Sequence, residues 1–452
     1  MRQSVRNQST IGYIRETATK FLDRETAGGI FLIIATIVAL LLANSQWADA
    51  YNRFLDDELL FELSEHLSFG LTVEEWINEG LMAIFFLIAG LELKRELRVG
   101  ELSSLKKASA PLLAALGGMA VPALIFVSLN LGTENVKGWG IPMATDIAYS
   151  LGIIGLLGKN VPTQLKTFLI ALAIADDIGA ILVIALFYSS ELSWIYLSSG
   201  VGVFGILLVM NWIGIKGLIW YVIVGMVLWY CFLNSGIHPT IAGVLFAFSI
   251  PIRPKLDSKS FKERTAANVT ELEESDLEIL NPLQDKKQLK ILKAIKTDSK
   301  DSKPPLSKLE NSLINFNSFV IIPVFAIVNA GVKLDVNLIE VLSGSLGLGI
   351  LLGLGIGKVA GISIFTLLGQ KLGVLKLHHS INWNHIVGVG MIAGIGFTMS
   401  LFIAYLAFST PEILKVSKIS ILIASLINAT AGIIVLLLAS KKRETREEIE
   451  EI

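Results

Sequence analysis

The sequence predicts an all-α polytopic membrane protein of twelve transmembrane helices. Three observations carry that reading. Hydrophobic residues make up 53% of the 452 positions and charged residues only 17%, with a mean hydropathy of +0.65, which is too apolar for an ordinary soluble domain. The apolar residues gather in runs close to the roughly 20 residues that a helix needs to cross a hydrocarbon core of about 30 Å. Lysine and arginine recur in every second connection between those runs, so an even number of spans puts both termini and every basic loop on one side, the cytoplasmic side. The runs are continuous rather than alternating, which argues against a membrane β-barrel. A net charge of −1 argues against nucleic-acid binding, and a single cysteine, Cys231, allows no disulfide framework.

A polar tail, residues 1–24, comes first. The apolar run after it, Ala27–Ala43, is long enough to remain as an anchor instead of being cleaved as a leader. Spans one to eight fill residues 25–253, near 25–44, 72–94, 108–130, 139–158, 166–189, 192–212, 217–233 and 236–253. Residues 254–308 form a cytoplasmic insert loop. Its composition, including "DSKDSKPP", reads as a disordered linker, although "LQDKKQLKILKAIK" has the spacing of a short amphipathic helix at a membrane face. Spans nine to twelve fill 309–440, near 310–331, 340–369, 384–408 and 414–440, and a cytoplasmic tail, 441–452, that begins with Lys441, Lys442 and Arg443 and carries Arg446, follows them. The even-numbered connections hold Lys94, Arg95, Arg98, Lys106 and Lys107, then Lys159 and Lys166, then the lysines of the insert, then Lys371 and Lys376. Residues 45–71, between spans one and two, hold only Arg53 among many acids.

Four ionisable residues fall near the middle of spans instead of at their ends. They are Asp146 in "IPMATDIAYSLGI", Asp176 and Asp177 in "ALAIADDIGAILVIALF", and Lys358 in "LGIGKVAGIS". A charge at the bilayer centre costs at least about 2.5–3.5 kcal/mol and marks an ion path or proton relay turned to the protein interior. A buried ion pair that only fixes helix packing would absorb one aspartate and Lys358, but not three carboxylates against one amine. Neighbouring helical residues point about 100° apart, so Asp176 and Asp177 take different partners. One pairs with Lys358, and the other joins Asp146 at a separate locus. A hard monovalent cation wants oxygen ligands, which two carboxylates and Thr145 supply. Cation and protons then compete for the same cluster, the physical basis of exchange.

Two spans are expected to be discontinuous. The fourth has Pro142 just before Thr145 and Asp146, and the eleventh has Gly388, Gly390, Gly394 and Gly396 in "VGVGMIAGIGFTMS". Backbone groups freed inside a membrane must line a cavity or meet protein partners. Spans four and eleven cross in opposite directions, so spans 3–5 and 10–12 are expected to be inverted repeats with their breaks in matching positions. Helix N-ends would face each other near Asp146, and Lys358 would offset the facing C-ends.

From about residue 20 to 440 the chain resembles the NhaA family of bacterial sodium/proton antiporters. The motifs are "WINEGLMAIFFLIAGLELKREL", "ATDIAYSLGI", "ALAIADDIGAI", "SGIHPTIAGV", "PVFAIVNAGV", "GKVAG" and "GIGFTMSLFIA". The resemblance implies that Asp177 binds the cation and that Asp176 binds the proton and pairs with Lys358. It implies that Thr145 and Asp146 lie in the unwound stretch of the fourth helix, crossing the unwound stretch around Gly394 and Gly396, with Asp177 and Asp146 as the metal-facing carboxylates. It further implies electrogenic export of Na+ or Li+ against inward protons, activation at alkaline pH, a homodimer with its contact in the region of 45–71, and a place in the bacterial inner membrane. Glu92, Arg95 and Glu96 in "ELKREL", Glu310 in "LENSLIN" and His238 in "SGIHPT" match residues tied to the pH response. The familiar pattern has histidines where this chain has Asn311 and Asn315, a shorter acid at Glu79, and a short loop in place of 254–308. His378 and His379 read as solvated loop residues.

Apart from the transported ions no cofactor is implied, and no phosphate-cradling glycine loop appears. The alternative on the same fold is a sodium-coupled symporter of an organic solute. An enzyme reading, an intramembrane aspartyl protease, would need a Gly-Xaa-Gly-Asp stretch that the chain does not contain, and a channel would need a filter or a ring of like charges.

Overall fold

The computed structural model describes residues 24–64, 67–100, 102–189, 191–274, 286–375, 377 and 381–450. The N-terminal tail up to residue 23, the middle of the insert, His378 and His379 lie outside the described residues. Helices α1 (Arg24–Ala43) and α2 (Ala48–Asp56) open the chain, followed by β1 (Glu58–Ser64), β2 (Leu67–Thr72) and α3 (Val73–Val99). Helix α4 (Leu105–Asn130) leads into a 3-10 helix at Glu134–Met143, then α5 (Ile147–Leu157) and α6 (Thr163–Phe187). Next come α7 (Trp194–Ile213), α8 (Leu218–Leu233), α9 (Thr240–Ser249), α10 (Ser258–Glu274) and α11 (Lys286–Asp301). The chain continues with α12 (Pro305–Asn329), α13 (Leu338–Ser343), α14 (Ser345–Lys371), α15 (Trp383–Ala393), α16 (Phe397–Ala407) and α17 (Pro411–Glu450).

The fold is that of a predominantly helical, multi-pass membrane protein. Among the described residues eight helices are long and apolar enough to cross a bilayer, or up to ten if the bent pairs α1–α2 and α15–α16 each count as one span. Helix α9 is shorter than the eighth apolar run suggested. Its 10 residues cover about 15 Å at 1.5 Å per residue, half a hydrocarbon core. Pro239 and Pro251 bound it, and neither can continue a helical hydrogen-bond ladder.

Two local findings depart from the sequence reading. Strands β1 and β2 pair antiparallel, with Glu58 facing Thr72. The pair closes at its base through a Val73 N–H bond to the Asp57 carbonyl, 3.1 Å, where Thr72 and Glu75 form a reciprocal cap on α3. The insert is not a structureless linker: it contains α10 and α11. The physical reason is a seam: Ile291 is buried between the two helices, and Arg264 pairs with Asp298 at 3.6 Å.

The chain divides into two compact units. The first comprises residues 1–85, 92–190 and 315–452 and holds α4–α6 and α13–α17. Helices α4 and α14 pack closely in it, and a Cβ on Gly361 would stand 2.0 Å from the Gly117 carbonyl oxygen, so only glycine fits. The second unit comprises residues 86–91 and 191–314, with a core of Leu207, Tyr221, Leu228, Phe232 and Ala247.

Candidate functional site

Two interrupted helices cross in the first unit. Between the 3-10 helix and α5, residues 144–146 are extended. Between α15 and α16, residues 394–396 break the helix with a 45° bend. A Cβ on Gly394 would lie 2.4 Å from the Leu354 carbonyl oxygen, so the chain passes there only as glycine. Every carbonyl from 392 to 395 lies within hydrogen-bond reach of a donor. Ser150 donates to Ile392 O at 3.0 Å, Thr145 Oγ1 lies 2.9 Å from Ala393 O, Asn428 donates to Gly394 O at 2.7 Å, and the Asp146 N–H donates to Ile395 O at 2.7 Å. Ser400 donates to Ile141 O at 2.7 Å, and the Phe397 N–H donates to Ser425 at 3.2 Å. Backbone opened inside a membrane is thus satisfied by the opposite break and by hydroxyl and amide side chains.

Asp146, 1% exposed, caps two helices with one carboxylate. Its Oδ1 accepts from the Tyr149 N–H at the start of α5, 2.9 Å. Its Oδ2 accepts from the N–H and the hydroxyl of Thr398 at the start of α16, 3.0 and 2.5 Å. Helix N-ends carry partial positive charge, so one formal negative charge serves both.

Lys358 is fully buried and follows a wide π-turn at Gly353–Gly357. Its Nζ donates to Asp176 Oδ2 at 2.7 Å and to the Met143 carbonyl, at the C-end of the 3-10 helix, at 2.5 Å. Thr145 Oγ1 lies 2.7 Å from the same Asp176 oxygen. Its single proton serves either Asp176 or Ala393. The other Asp176 oxygen, Oδ1, is buried with no hydrogen-bond partner among the described residues.

Asp177 is different. It is 5% exposed, and no hydrogen bond to its carboxylate is found among the described residues. It lies within electrostatic reach of Asp146, Asp176, Glu92 and Lys358. The structure therefore joins Thr145, Asp176 and Lys358 by direct contact and sets Asp146 at the crossing through Ile395 and Thr398, with Gly394 and Gly396 in the facing break and Asp177 within electrostatic reach. Thr145 sits with Asp176 and Lys358 and not with the Asp146 caps. Sequence reasoning missed Thr398, Asn428, Ser150, Ser400 and Ser425. Their signal was polar side chains inside apolar runs, as in "GFTMS" and "SLINATAG".

The residues matched to a pH response are distributed more widely. Arg95 and Glu96 form a 3.5 Å ion pair near the end of α3, with Glu92 one turn earlier. In the second unit, His238 is buried at the start of α9 with Nδ1 2.9 Å from Thr240 Oγ1, and Glu310 is buried on α12. Among the described residues no three or more His, Cys, Asp or Glu side chains converge as a resident metal site requires.

A helical membrane bundle that encloses charged groups where two interrupted helices cross has the architecture of a secondary transporter. Residues 19–436 match the family model described as Na+/H+ antiporter 1, and the chain belongs to that family, which is one of transporters and not of enzymes. It is 81% identical over 442 residues to the Na(+)/H(+) antiporter NhaA of Christiangramia forsetii, covering 98% of each chain. It is 42% identical over 430 residues to Na(+)/H(+) antiporter NhaA 2 of Helicobacter hepaticus, covering 95% of this chain and 96% of that one. It is 44% identical over 430 residues to the Na(+)/H(+) antiporter NhaA of Helicobacter pylori strain G27, covering 94% and 96%.

Proposed function

We propose that the chain is a secondary active Na+/H+ antiporter that exports Na+ or Li+ in exchange for protons and moves net charge as it does so. The observation that carries this reading is the contrast among three buried carboxylates. Asp146 is held by two helix ends and Asp176 by Lys358 with Thr145 beside it, while Asp177 has no hydrogen bond among the described residues. A carboxylate in that position gains most from whichever positive species reaches it, a cation or a proton. Asp177 is the cation-binding residue, with Asp146 as the nearby carboxylate that neutralises helix ends and completes the field on the cation. Asp176 is the proton-linked residue, because a proton on its Oδ2 competes with Lys358 for the same oxygen. Net inward charge gains about 2.3 kcal/mol per 100 mV of inside-negative potential. That gain drives sodium out against its gradient.

The same reading places the protein in the bacterial inner membrane with both termini cytoplasmic, supported by the basic loops. The bent pairs α1–α2 and α15–α16, with α8 and α9 as short spans, would complete twelve. The matching breaks at 144–146 and 394–396 support inverted repeats over spans 3–5 and 10–12. Homodimer contact falls to the region of 45–71, which includes β1 and most of β2. The pH response falls to Glu92, Arg95, Glu96, His238 and Glu310. Asn311 and Asn315 do not titrate near neutrality as histidine does, so the threshold rests on the other groups.

The test uses purified protein in liposomes with an acidic interior and a pH-sensitive dye. Na+, Li+, K+ or choline is added outside, from neutral to alkaline pH. Dequenching with Na+ and Li+ only, rising at alkaline pH and accelerated by an imposed potential, is the expected result. Proton release driven by no cation, or only by Na+ together with an organic solute, would overturn it.

A further inference from the structure

The insert between α9 and α12 carries a surface that ion exchange does not use. Its root is fixed to the ends of apolar helices of its own unit. The Leu306 N–H donates to the Pro251 carbonyl at 3.2 Å and the Leu256 N–H to the Asp301 carbonyl at 3.1 Å. Lys216, in the α7–α8 connection, donates to the Pro254 carbonyl at 2.7 Å, and Lys255 stands 3.8 Å from Asp301. Ile250, one residue before that root, is fully buried. Helix α11 therefore starts its return to the membrane helices in a defined place, and its C-terminal end is held at the end of apolar spans.

Along α11 the charges are sorted by face. Its two acids are both engaged inward: Asp298 pairs with Arg264 of α10, and Asp301 lies at the root beside Lys255. Ile291, 4% exposed, faces the same seam. The opposite face repeats at positions i, i+3, i+4, i+7 and i+11 with Leu289, Leu292, Lys293, Lys296 and Lys300, all exposed. Leu289 and Leu292 are 46% and 52% exposed. A helix face with two bare leucines, three lysines and no acid is matched by a surface that is apolar just beneath an anionic layer. Clustered lysines next to a membrane helix read in the same way.

We propose that the outward face of α11 lies on the protein's own bilayer and binds anionic phospholipid headgroups. Lys293, Lys296 and Lys300 contact phosphate, and Leu289 and Leu292 enter the headgroup boundary. Lys300 is one residue from the root, and Leu292 lies about 14 Å along the axis from it at 1.5 Å per residue. The insert must therefore recline instead of standing away from the membrane.

The full-length protein with Leu292→Cys is labelled with an environment-sensitive fluorophore in nanodiscs. Cys231 is buried, and the unsubstituted protein gives the labelling blank. One set of nanodiscs contains phosphatidylglycerol and the other phosphatidylcholine alone. The expected result is a blue shift and loss of iodide quenching in phosphatidylglycerol only. High salt and Lys293→Gln/Lys296→Gln/Lys300→Gln reverse both changes, and a label at Ala266→Cys on α10 stays quenchable throughout. In the unsubstituted protein, hydrogen exchange across 286–301 slows in phosphatidylglycerol, which keeps the test valid if a substituted chain folds poorly. Equal quenching and equal exchange in the two lipids would overturn the proposal. Protection that is the same in both lipids but depends on protein concentration would replace lipid by a second copy as the occupant.

Discussion

The two helix interruptions cross one another but are built from opposite materials. At 144–146 the backbone is extended, and the side chains Thr145 and Asp146 do the bonding. At 394–396 the side chains are Gly394, Ile395 and Gly396, and the backbone does the bonding through its carbonyls. One break contributes charge, and the other contributes shape and dipoles. Substitution at the first should change chemistry and stability together. Substitution at the second should act through packing.

The largest effect is expected for Asp146→Ala. It removes caps from α5 and α16, worth about 1 kcal/mol each. It also leaves the Thr398 hydroxyl and N–H buried without their acceptor, at about 1–3 kcal/mol. Na+-driven proton flux should vanish, and the thermal midpoint in detergent should drop by several degrees. A variant that keeps its midpoint would show that the helix ends need no such charge. Gly394→Ala comes next. A methyl group 2.4 Å from the Leu354 carbonyl must push α15 and α14 apart, an overpacking cost of about 1–3 kcal/mol. Flux should fall while the apparent affinity for Na+ stays close to that of the parent. A selective loss of affinity with unchanged stability would put this break on the chemical side after all.

Thr398→Val is the smaller probe of the same contact. It deletes one side-chain donor to Asp146 and keeps the N–H, a loss of about 0.6–1.7 kcal/mol for a hydrogen bond inside a membrane. A modest shift in the pH profile of flux is expected, checked by the dye assay at several external pH values. Smallest is Asp335→Asn, away from the crossing. The Lys415 hydrogen bond holds the Asp335 carboxyl below the usual carboxylate range. A depressed folded value stabilises above the unfolded value and is lost as pH falls through the folded one. The group is exposed, so neutral-pH flux should be unchanged, and any difference in thermal midpoint should disappear in acid and in high salt.

The crossing was partly legible in the sequence. Charges cannot hide in apolar runs, so Asp146, Asp176, Asp177 and Lys358 stood out by their cost alone. Proline and the glycines marked where the backbone would open. The partner choice was not legible in the residues' own spacing, because it depends on helix rotation, and only the family resemblance paired Asp176 with Lys358. Nothing local says that Asp176 faces Lys358 while Asp177 has no hydrogen bond among the described residues. Thr398 and Asn428 were hidden for a related reason: hydroxyls and amides are common in membrane helices, and their purpose shows only against the opposite break. The pairing of β1 with β2 was masked by acidic loop composition. The α10–α11 pair was half legible: "LQDKKQLKILKAIK" carried the spacing of a short amphipathic helix, but the seam at Ile291 and the Arg264–Asp298 pair that join α11 to α10 show only in three dimensions.

The central claim is that Asp177 serves the ions and not the fold. The most direct measurement sets Asp177→Asn beside the parent protein in one preparation, with Na+-driven proton flux in liposomes and the thermal midpoint read together. The account predicts flux lost to background and a midpoint no lower than the parent's, since no hydrogen bond is broken. Flux retained in Asp177→Asn, or flux lost only together with the fold, would contradict it.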